Sequence, residues 1–202
     1  MTTLVIADVH GCFTELCNVI GPYLGTGYDI VFLGDLIDRS PEPDGDINVL
    51  TLVKDIDENP GKYGFKSSTV LRGNHEVLFL DAVECMDWEL WKYNGGCIQA
   101  RHTITDEFLD WMSGLPTHLV KDDFLFVHAG VKPNVPLEEQ TEFDLTWIRQ
   151  PFLKAKDHGL PYVVVHGHTV TNSEEIEYYG GRIAMDTGSF RTGKIGNLVL
   201  NC

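Results

Sequence analysis

Residues 30–39 read Ile30-Val31-Phe32-Leu33-Gly34-Asp35-Leu36-Ile37-Asp38-Arg39: four apolar positions without a polar interruption, then a glycine and an acid. A short apolar run bounded by a turn signal suits a buried strand. The same motif stands on either side of it. Leu4-Val5-Ile6-Ala7 runs into Asp8-Val9-His10-Gly11, and Thr69-Val70-Leu71 runs into Arg72-Gly73-Asn74-His75-Glu76. Helices are expected between these runs. One spans about Thr14 to Ile20, with Glu15 early and Gly21-Pro22 as a stop; the other spans about Ile47 to Ile56, ended by Asn59-Pro60-Gly61. Three times a strand runs into Gly, Asp, Asn or His and the chain turns toward a helix. That is an α/β arrangement with its chemistry at the strand ends.

The rest of the chain changes character. Val77 to Met112 reads as mostly helical, with Trp88, Trp91, Phe108, Leu109 and Trp111 as packing residues. Beyond it, strands are expected at Leu125–His128, Tyr162–His166, Arg182–Asp186 and Asn197–Leu200. A single helix is expected there, from about Leu137 to Lys156 and interrupted by Pro151. Two sheets packed together with helices outside fit this order better than one doubly wound sheet. No repeat and no long polar linker divides the chain, so residues 1–202 are expected to form one domain; a chain of this size buries roughly 70% of its unfolded surface.

Thirty acidic against 15 basic residues give a formal charge of −15. Without a run of Lys and Arg, such a surface repels a nucleic-acid backbone, so no stable nucleic-acid binding is expected. A small phosphorylated molecule held through metals remains compatible. The five cysteines, Cys12, Cys17, Cys85, Cys97 and Cys202, are odd in number and form no C-x-x-C pair, which favours a reducing, cytoplasmic setting over a disulfide framework. The first apolar run lacks a basic leader and is broken by Asp8 and His10, and later runs are short, so no membrane association is expected. Oligomeric state is left open.

Polar motifs follow the strand-like runs: Asp8-x-His10-Gly11, Gly34-Asp35-x-x-Asp38-Arg39, Gly73-Asn74-His75-Glu76, His128-Ala129-Gly130, His166-Gly167-His168-Thr169 and Asp186-Thr187-Gly188. Taken singly, each has a structural alternative: helix capping for Asp8 or Asp35, a buried hydrogen-bonded role for His10, His128 or His168, a turn for Asn74. Taken together, their ligand types suit two divalent ions, with Asp8 and His10 converging on one, Asp35 shared, and Asn74, His128 and His168 on the other. Mixed nitrogen and oxygen donors suit Mn, Fe or Zn rather than a thiolate site.

These motifs, in this order, resemble the phosphoprotein phosphatase family of metallophosphoesterases, especially its short bacterial and bacteriophage members. The resemblance implies a calcineurin-like β-sandwich of two mixed sheets flanked by helices. It implies Asp8, His10 and Asp35 as ligands of the first metal, and Asp35, Asn74, His128 and His168 as ligands of the second. Manganese is the metal it implies, with iron, zinc, nickel, cobalt or magnesium as alternatives. Water shared by two such ions loses a proton readily and attacks phosphorus opposite the leaving oxygen.

By the same resemblance Arg39 and Arg149 clamp the phosphate, a planar guanidinium holding two oxygens at once. His75 protonates the leaving group and Asp38 orients it. Arg72 either reaches the phosphate or pairs with a nearby carboxylate. His166 falls on the same side as His168 if its strand continues, as a residue behind the ligands or lining the pocket, with ordinary packing as the alternative. Trp147 either positions Arg149 or is an ordinary core tryptophan, Tyr93 and His102 are candidates for the substrate rim, and Arg191 is expected on the surface. One departure is Ser40, where the family often has glycine.

The expected activity is hydrolysis of phosphate monoesters, on a phosphorylated protein or peptide (serine/threonine phosphatase) or a small phosphorylated metabolite. Asp38 before Arg39 and Glu76 after His75 favour it. The alternatives are a diadenosine-polyphosphate hydrolase, whose corresponding segment His128-Ala129-Gly130-Val131 with Pro133 resembles, a phosphodiesterase, and a phosphoprotein-binding module with negligible turnover.

Overall fold

A computed structural model describes residues 2–201, apart from the side chains of Gln99 and Ala100. Cys202 lies outside the described residues, and Cys12, Cys17, Cys85 and Cys97 are free thiols. The first half alternates strand and helix: β1 (Thr2–Ile6), α1 (Phe13–Ile20), β2 (Asp29–Phe32), α2 (Gly45–Glu58), β3 (Ser67–Val70) and α3 (Asn74–Cys85). Three shorter helices follow, α4 (Glu89–Tyr93), α5 (Ile98–Thr103) and α6 (Asp106–Ser113). The second half holds β4 (His118–Lys121), β5 (Phe124–Val127), α7 (Glu142–Trp147), β6 (Val163–His166), β7 (Glu177–Tyr178), β8 (Arg182–Ala184), α8 (Ser189–Thr192) and β9 (Asn197–Asn201).

The strands form two sheets, ordered β3-β2-β1-β9 and β4-β5-β6-β8-β7. In the first, β1, β2 and β3 run parallel with Ile6, Phe32 and Val70 side by side. The residues that follow them, Asp8, Asp35 and Asn74, therefore leave from one edge. In the second, β5, β6 and β8 run parallel with Phe126, Val165 and Ile183 in register, and His128, His168 and Asp186 follow their ends.

Side-chain alternation assigns each strand face to a core. Val5, Val31 and Leu33 meet Phe126, Val165 and Met185 between the sheets. Leu4, Ile6, Ile30 and Phe32 face outward, into a cluster with Leu16 of α1, Val53 of α2 and Phe79 of α3. On the far side, Leu125, Val127 and Val164 pack with Leu145 of α7 and with Phe152. Strands covered on both faces read as unbroken apolar runs, which is why they stand out in the sequence.

The helix expected over Leu137–Lys156 is instead the six-residue α7 between two 3₁₀ turns, Leu137–Glu139 and Phe152–Lys154. Thr141 starts it afresh: its hydroxyl accepts from Asp144 N–H at 3.1 Å while Asp144 Oδ2 accepts from Thr141 N–H at 3.1 Å. Ile148 ends it in an extended conformation. Among the described residues no helix is long and apolar enough to cross a membrane.

Candidate metal centre

The loops at the strand ends carry unusual backbone. Of the ten non-glycine residues with positive φ among those described, five are His10, Asp35, Asp38, Arg39 and His168. Left-handed backbone costs roughly 1–3 kcal/mol per residue and persists where neighbours over-determine it. Here Glu76 does so. Its buried carboxylate accepts from Asp35 N–H at 2.9 Å, Leu36 N–H at 2.8 Å and Gly73 N–H at 2.8 Å. Val9 and His10 N–H in turn donate to Asp35 O at 3.0 and 2.9 Å, tying the loops after β1 and β2 to the start of α3. Two glycines permit the close approach: a Cβ on Gly73 would meet Asp35 N at 2.3 Å, and one on Gly167 would meet Asp8 Oδ1 at 1.9 Å.

Two groups of buried ligand atoms result, His10–Asp35–His75 and Asp35–His128–His168, each with its donor atoms within 4.8 Å of one another. Asp35 belongs to both. Its Oδ2 lies 3.7 Å from His10 Nε2 and 4.0 Å from His75 Nε2, and its Oδ1 lies 3.3 Å from His128 Nε2. Asn74 Oδ1 sits 3.0 Å from His128 Nε2 and 2.7 Å from His168 Nδ1, so the second group is also the one Asn74 faces. Asp8 stands outside both groups and accepts from His168 N–H at 3.0 and 3.2 Å; His75 Nε2 joins His10 and Asp35 in its stead.

The donor chemistry fits divalent cations. His10 Nδ1–H donates to Ile37 O and His128 Nδ1–H to Leu33 O, both at 2.9 Å, which turns each Nε2 inward. Burial pushes the His10 imidazole down to about 3, so it stands neutral with a lone pair to give. At the second group, Nε2 of His128 faces a carboxylate oxygen and an amide oxygen. Burial lowers its basicity, yet Asp35 holds it up at about 9, as a cation in that position would be held. Burial raises Asp8 well above the ordinary carboxylate range, and Asp186 beside it adds to the rise. For Asp35 burial is outweighed by His128 and His75, which bring it well below. Carboxylates crowded in a dry site are stable only with positive charge among them.

Beside the first group, His75 Nδ1–H donates to Asp38 Oδ2 at 2.7 Å, while His75 Nε2 is buried without a hydrogen-bond partner. Arg39 Nη1 lies 3.2 Å from His10 Nε2, and its Nε donates to Asn94 O at 3.2 Å. Arg149 is exposed, and its charge bears on His168. Trp147 packs edge-on against His168 at 6.1 Å.

For Arg72 and His166, which the sequence left between two roles, the structure shows the structural one. Arg72 binds Glu142 at 2.8 Å, Leu115 O at 3.0 Å and Ser113 O, so its guanidinium clasps the chain between α6 and β4 to α7. His166 ends β6, and the turn at Gly167 with φ of 64° at His168 breaks the alternation that would have put both imidazoles on one side. It packs instead against Phe152 at 5.1 Å, with Arg182 Nη1 3.3 Å from its Nε2. Tyr93 and His102 are exposed, and Arg191 pairs on the surface with Glu174 at 3.0 Å. Ser40 Oγ sits 3.0 Å from Gly11 O and accepts from Glu42 N–H at 3.2 Å, linking two loops where the family's glycine would leave them unlinked.

The sequence reading gave no role at the site to three residues, although it named Trp91 for packing and Asp186 within a motif. Trp91 Nε1–H donates to Asp38, Phe190 lies edge-on to His10 at 5.5 Å and under the Arg39 guanidinium at 5.2 Å, and Asp186 is buried beside Asp8. Only Asp186, within its Asp-Thr-Gly motif at a strand end, carried a local signal.

Residues 1–194 match the family model for calcineurin-like phosphoesterases. A symmetrical bis(5'-nucleosyl)-tetraphosphatase of Janthinobacterium sp. (strain Marseille) is 29% identical over 143 residues, covering 66% of this chain and 45% of the relative. The serine/threonine-protein phosphatase 1 of Salmonella typhimurium is 29% identical over 126 residues, covering 61% and 46%. The chain thus spans about half the length of the curated relatives it matches. A crystal structure provisionally assigned to a diadenosine tetraphosphatase superposes with a TM-score of 0.76 at 20% identity, covering 98% of this chain and 89% of that one, and shares its fold. Symmetrical tetraphosphatases recur among the curated relatives, which favours the dinucleoside-polyphosphate alternative over the protein-phosphatase reading placed first above. With the fold, the buried Asp and His groups and the match along nearly the whole sequence, this chain belongs to the calcineurin-like phosphoesterases.

Proposed function

We propose that the chain hydrolyses phosphoric anhydrides and esters in a single in-line displacement by water, and that its substrate is a dinucleoside polyphosphate of the diadenosine tetraphosphate kind. The observation that carries the reaction is Asp35, which offers one oxygen to each of two buried ligand groups. The tetraphosphatase relatives support the substrate.

His10 and Asp35, with Asp8 or His75, would hold one divalent cation, and Asp35, Asn74, His128 and His168 the other. When bound, such ions supply charge to the phosphoryl oxygens and acidify the water they share. The chain's own residues do the rest. Arg39, at the edge of the first group, and Arg149, whose charge bears on His168, would take the nonbridging oxygens. His75, held through Nδ1 by Asp38, presents Nε2 to deliver a proton to the departing oxygen.

That last feature favours a second reading, a serine/threonine phosphomonoesterase. A nucleoside diphosphate leaves readily without a proton, whereas an alkoxide does not, so a built acid is worth most on a monoester. A manganese-supplemented panel separates the two: diadenosine tetraphosphate, phosphoserine and phosphothreonine peptides, p-nitrophenyl phosphate and its bis ester. The first reading expects ADP from diadenosine tetraphosphate at the highest kcat/KM. Phosphate release from peptides with no ADP from the dinucleotide would transfer the assignment to the second.

A further inference from the structure

Arg39 faces two ways. Its Nη1 lies 3.2 Å from His10 Nε2 in the metal centre, and its side chain also forms one wall of a cavity of about 510 Å³ between the start of α2 and the segment joining α4 to α5. The cavity lies within the size range of small-molecule sites. Whatever extends from a phosphate held at Arg39 meets this space next.

The lining has a definite chemistry. Arg39 is its one cation among the described residues, while Glu42, Asp44 and Asp46 contribute carboxylates and Pro43 and Ile47 contribute apolar surface. Such a lining suits hydroxyl and amino donors. Glu42 is held in place, accepting from Thr14 N–H at 3.0 Å and Thr14 Oγ1 at 2.8 Å. Asp46 is 4% exposed and its Oδ1 has no hydrogen-bond partner. A flat ring against Pro43 and Ile47 with vicinal hydroxyls toward the carboxylates would use both kinds of surface, and acid-to-ribose hydrogen bonding is how dinucleotide-binding folds hold the same group. A lysine or arginine side chain would answer the carboxylates and leave the apolar walls and most of the volume unused.

We propose that this cavity is a nucleoside subsite, binding the ribose and base that lie beyond the phosphate that Arg39 meets. It rests on the phosphoesterase reading above and specifies which part of the substrate is recognised. The test is competitive inhibition of p-nitrophenyl phosphate hydrolysis by the manganese-loaded protein, using inorganic phosphate, AMP and an arginine amide. AMP is expected to bind at least about tenfold more tightly than phosphate. Ile47→Trp, which fills the cavity, is expected to remove that advantage while the phosphate constant shifts less than about twofold. Asp44→Asn, at an exposed position whose φ of 57° asparagine tolerates, is expected to cut the advantage several-fold and serves if the tryptophan variant does not fold. AMP no better than phosphate, an advantage that survives both substitutions, or tighter competition by the arginine amide would overturn the subsite. ADP formation from diadenosine tetraphosphate is scored separately: its absence beside a tenfold AMP advantage removes the substrate assignment and leaves the subsite standing.

Discussion

Trp91 Nε1 lies 2.9 Å from Oδ1 and 3.0 Å from Oδ2 of Asp38, so one indole N–H is shared by both oxygens of the carboxylate that holds His75. Asp38 and Trp91 are fully buried, and Trp91 is fixed by edge-on packing against Phe79 at 5.4 Å and Trp88 at 5.5 Å. The ring thus anchors the Asp38–His75 pair from behind. Trp91→Phe keeps most of the packing and deletes the donor. Losing a hydrogen bond to a charged group is worth about 1.5–3 kcal/mol, so kcat is expected to fall by about 10- to 100-fold on an alkyl phosphate and by less on p-nitrophenyl phosphate. Equal losses on both substrates would mean that Trp91 supports the fold and not the proton donor.

His75→Asn tests the acid itself and also the ligand geometry. Its Nε2 belongs to a group with His10 and Asp35, whereas its Nδ1 pairs with Asp38 as a proton-delivering imidazole would. As the general acid, the variant should retain two metals per chain by elemental analysis and lose about 100-fold or more in kcat on poor leaving groups, with a smaller loss on p-nitrophenyl phosphate. Retention of one metal only would reassign His75 as a ligand.

The contrast between what was legible and what was not follows from range. The runs ending at Asp8 and Asp35 announce themselves because both faces of β1 and β2 are buried, and the one before Asn74 is marked by the glycine needed where loops nest, Gly73 against Asp35. By contrast β4 alternates between exposed and half-buried positions and β7 is two residues long, so neither carries a comparable apolar signal. The Trp91–Asp38 bond joins residues 53 apart, and the indole reads in sequence as packing alone. His166 would share a side with His168 only if its strand continued to that residue, and the strand ends two residues short, which leaves His166 to its packing role.

Asp35→Asn removes the one carboxylate that faces both groups. An amide supplies neither the charge nor two equivalent oxygens, so bound metal should drop below two per chain and kcat should fall by at least about 100-fold on every substrate. Elemental analysis and a rate measured at saturating manganese check the two halves together. A variant with both metals and more than a tenth of the activity would remove Asp35 from its shared role.

Asp46 supplies a pH dependence of stability. Burial, then the charge of Asp38, pushes its carboxyl up from 3.8 to about 7. Between about pH 4 and pH 7 the folded chain therefore keeps a proton that the unfolded chain has released. Unfolding free energy falls as pH rises through that window, because the native state binds more protons there, and flattens above it. Asp46→Asn removes the group that must ionise in the interior. Relative to wild type the variant is expected to gain roughly 2–4 kcal/mol by pH 8, with the gain vanishing by about pH 4. Urea unfolding of both proteins at matched manganese across pH 4–8 measures it. A difference that stays constant with pH, or that grows toward acid, would show that Asp46 ionises as readily in the fold as in the open chain.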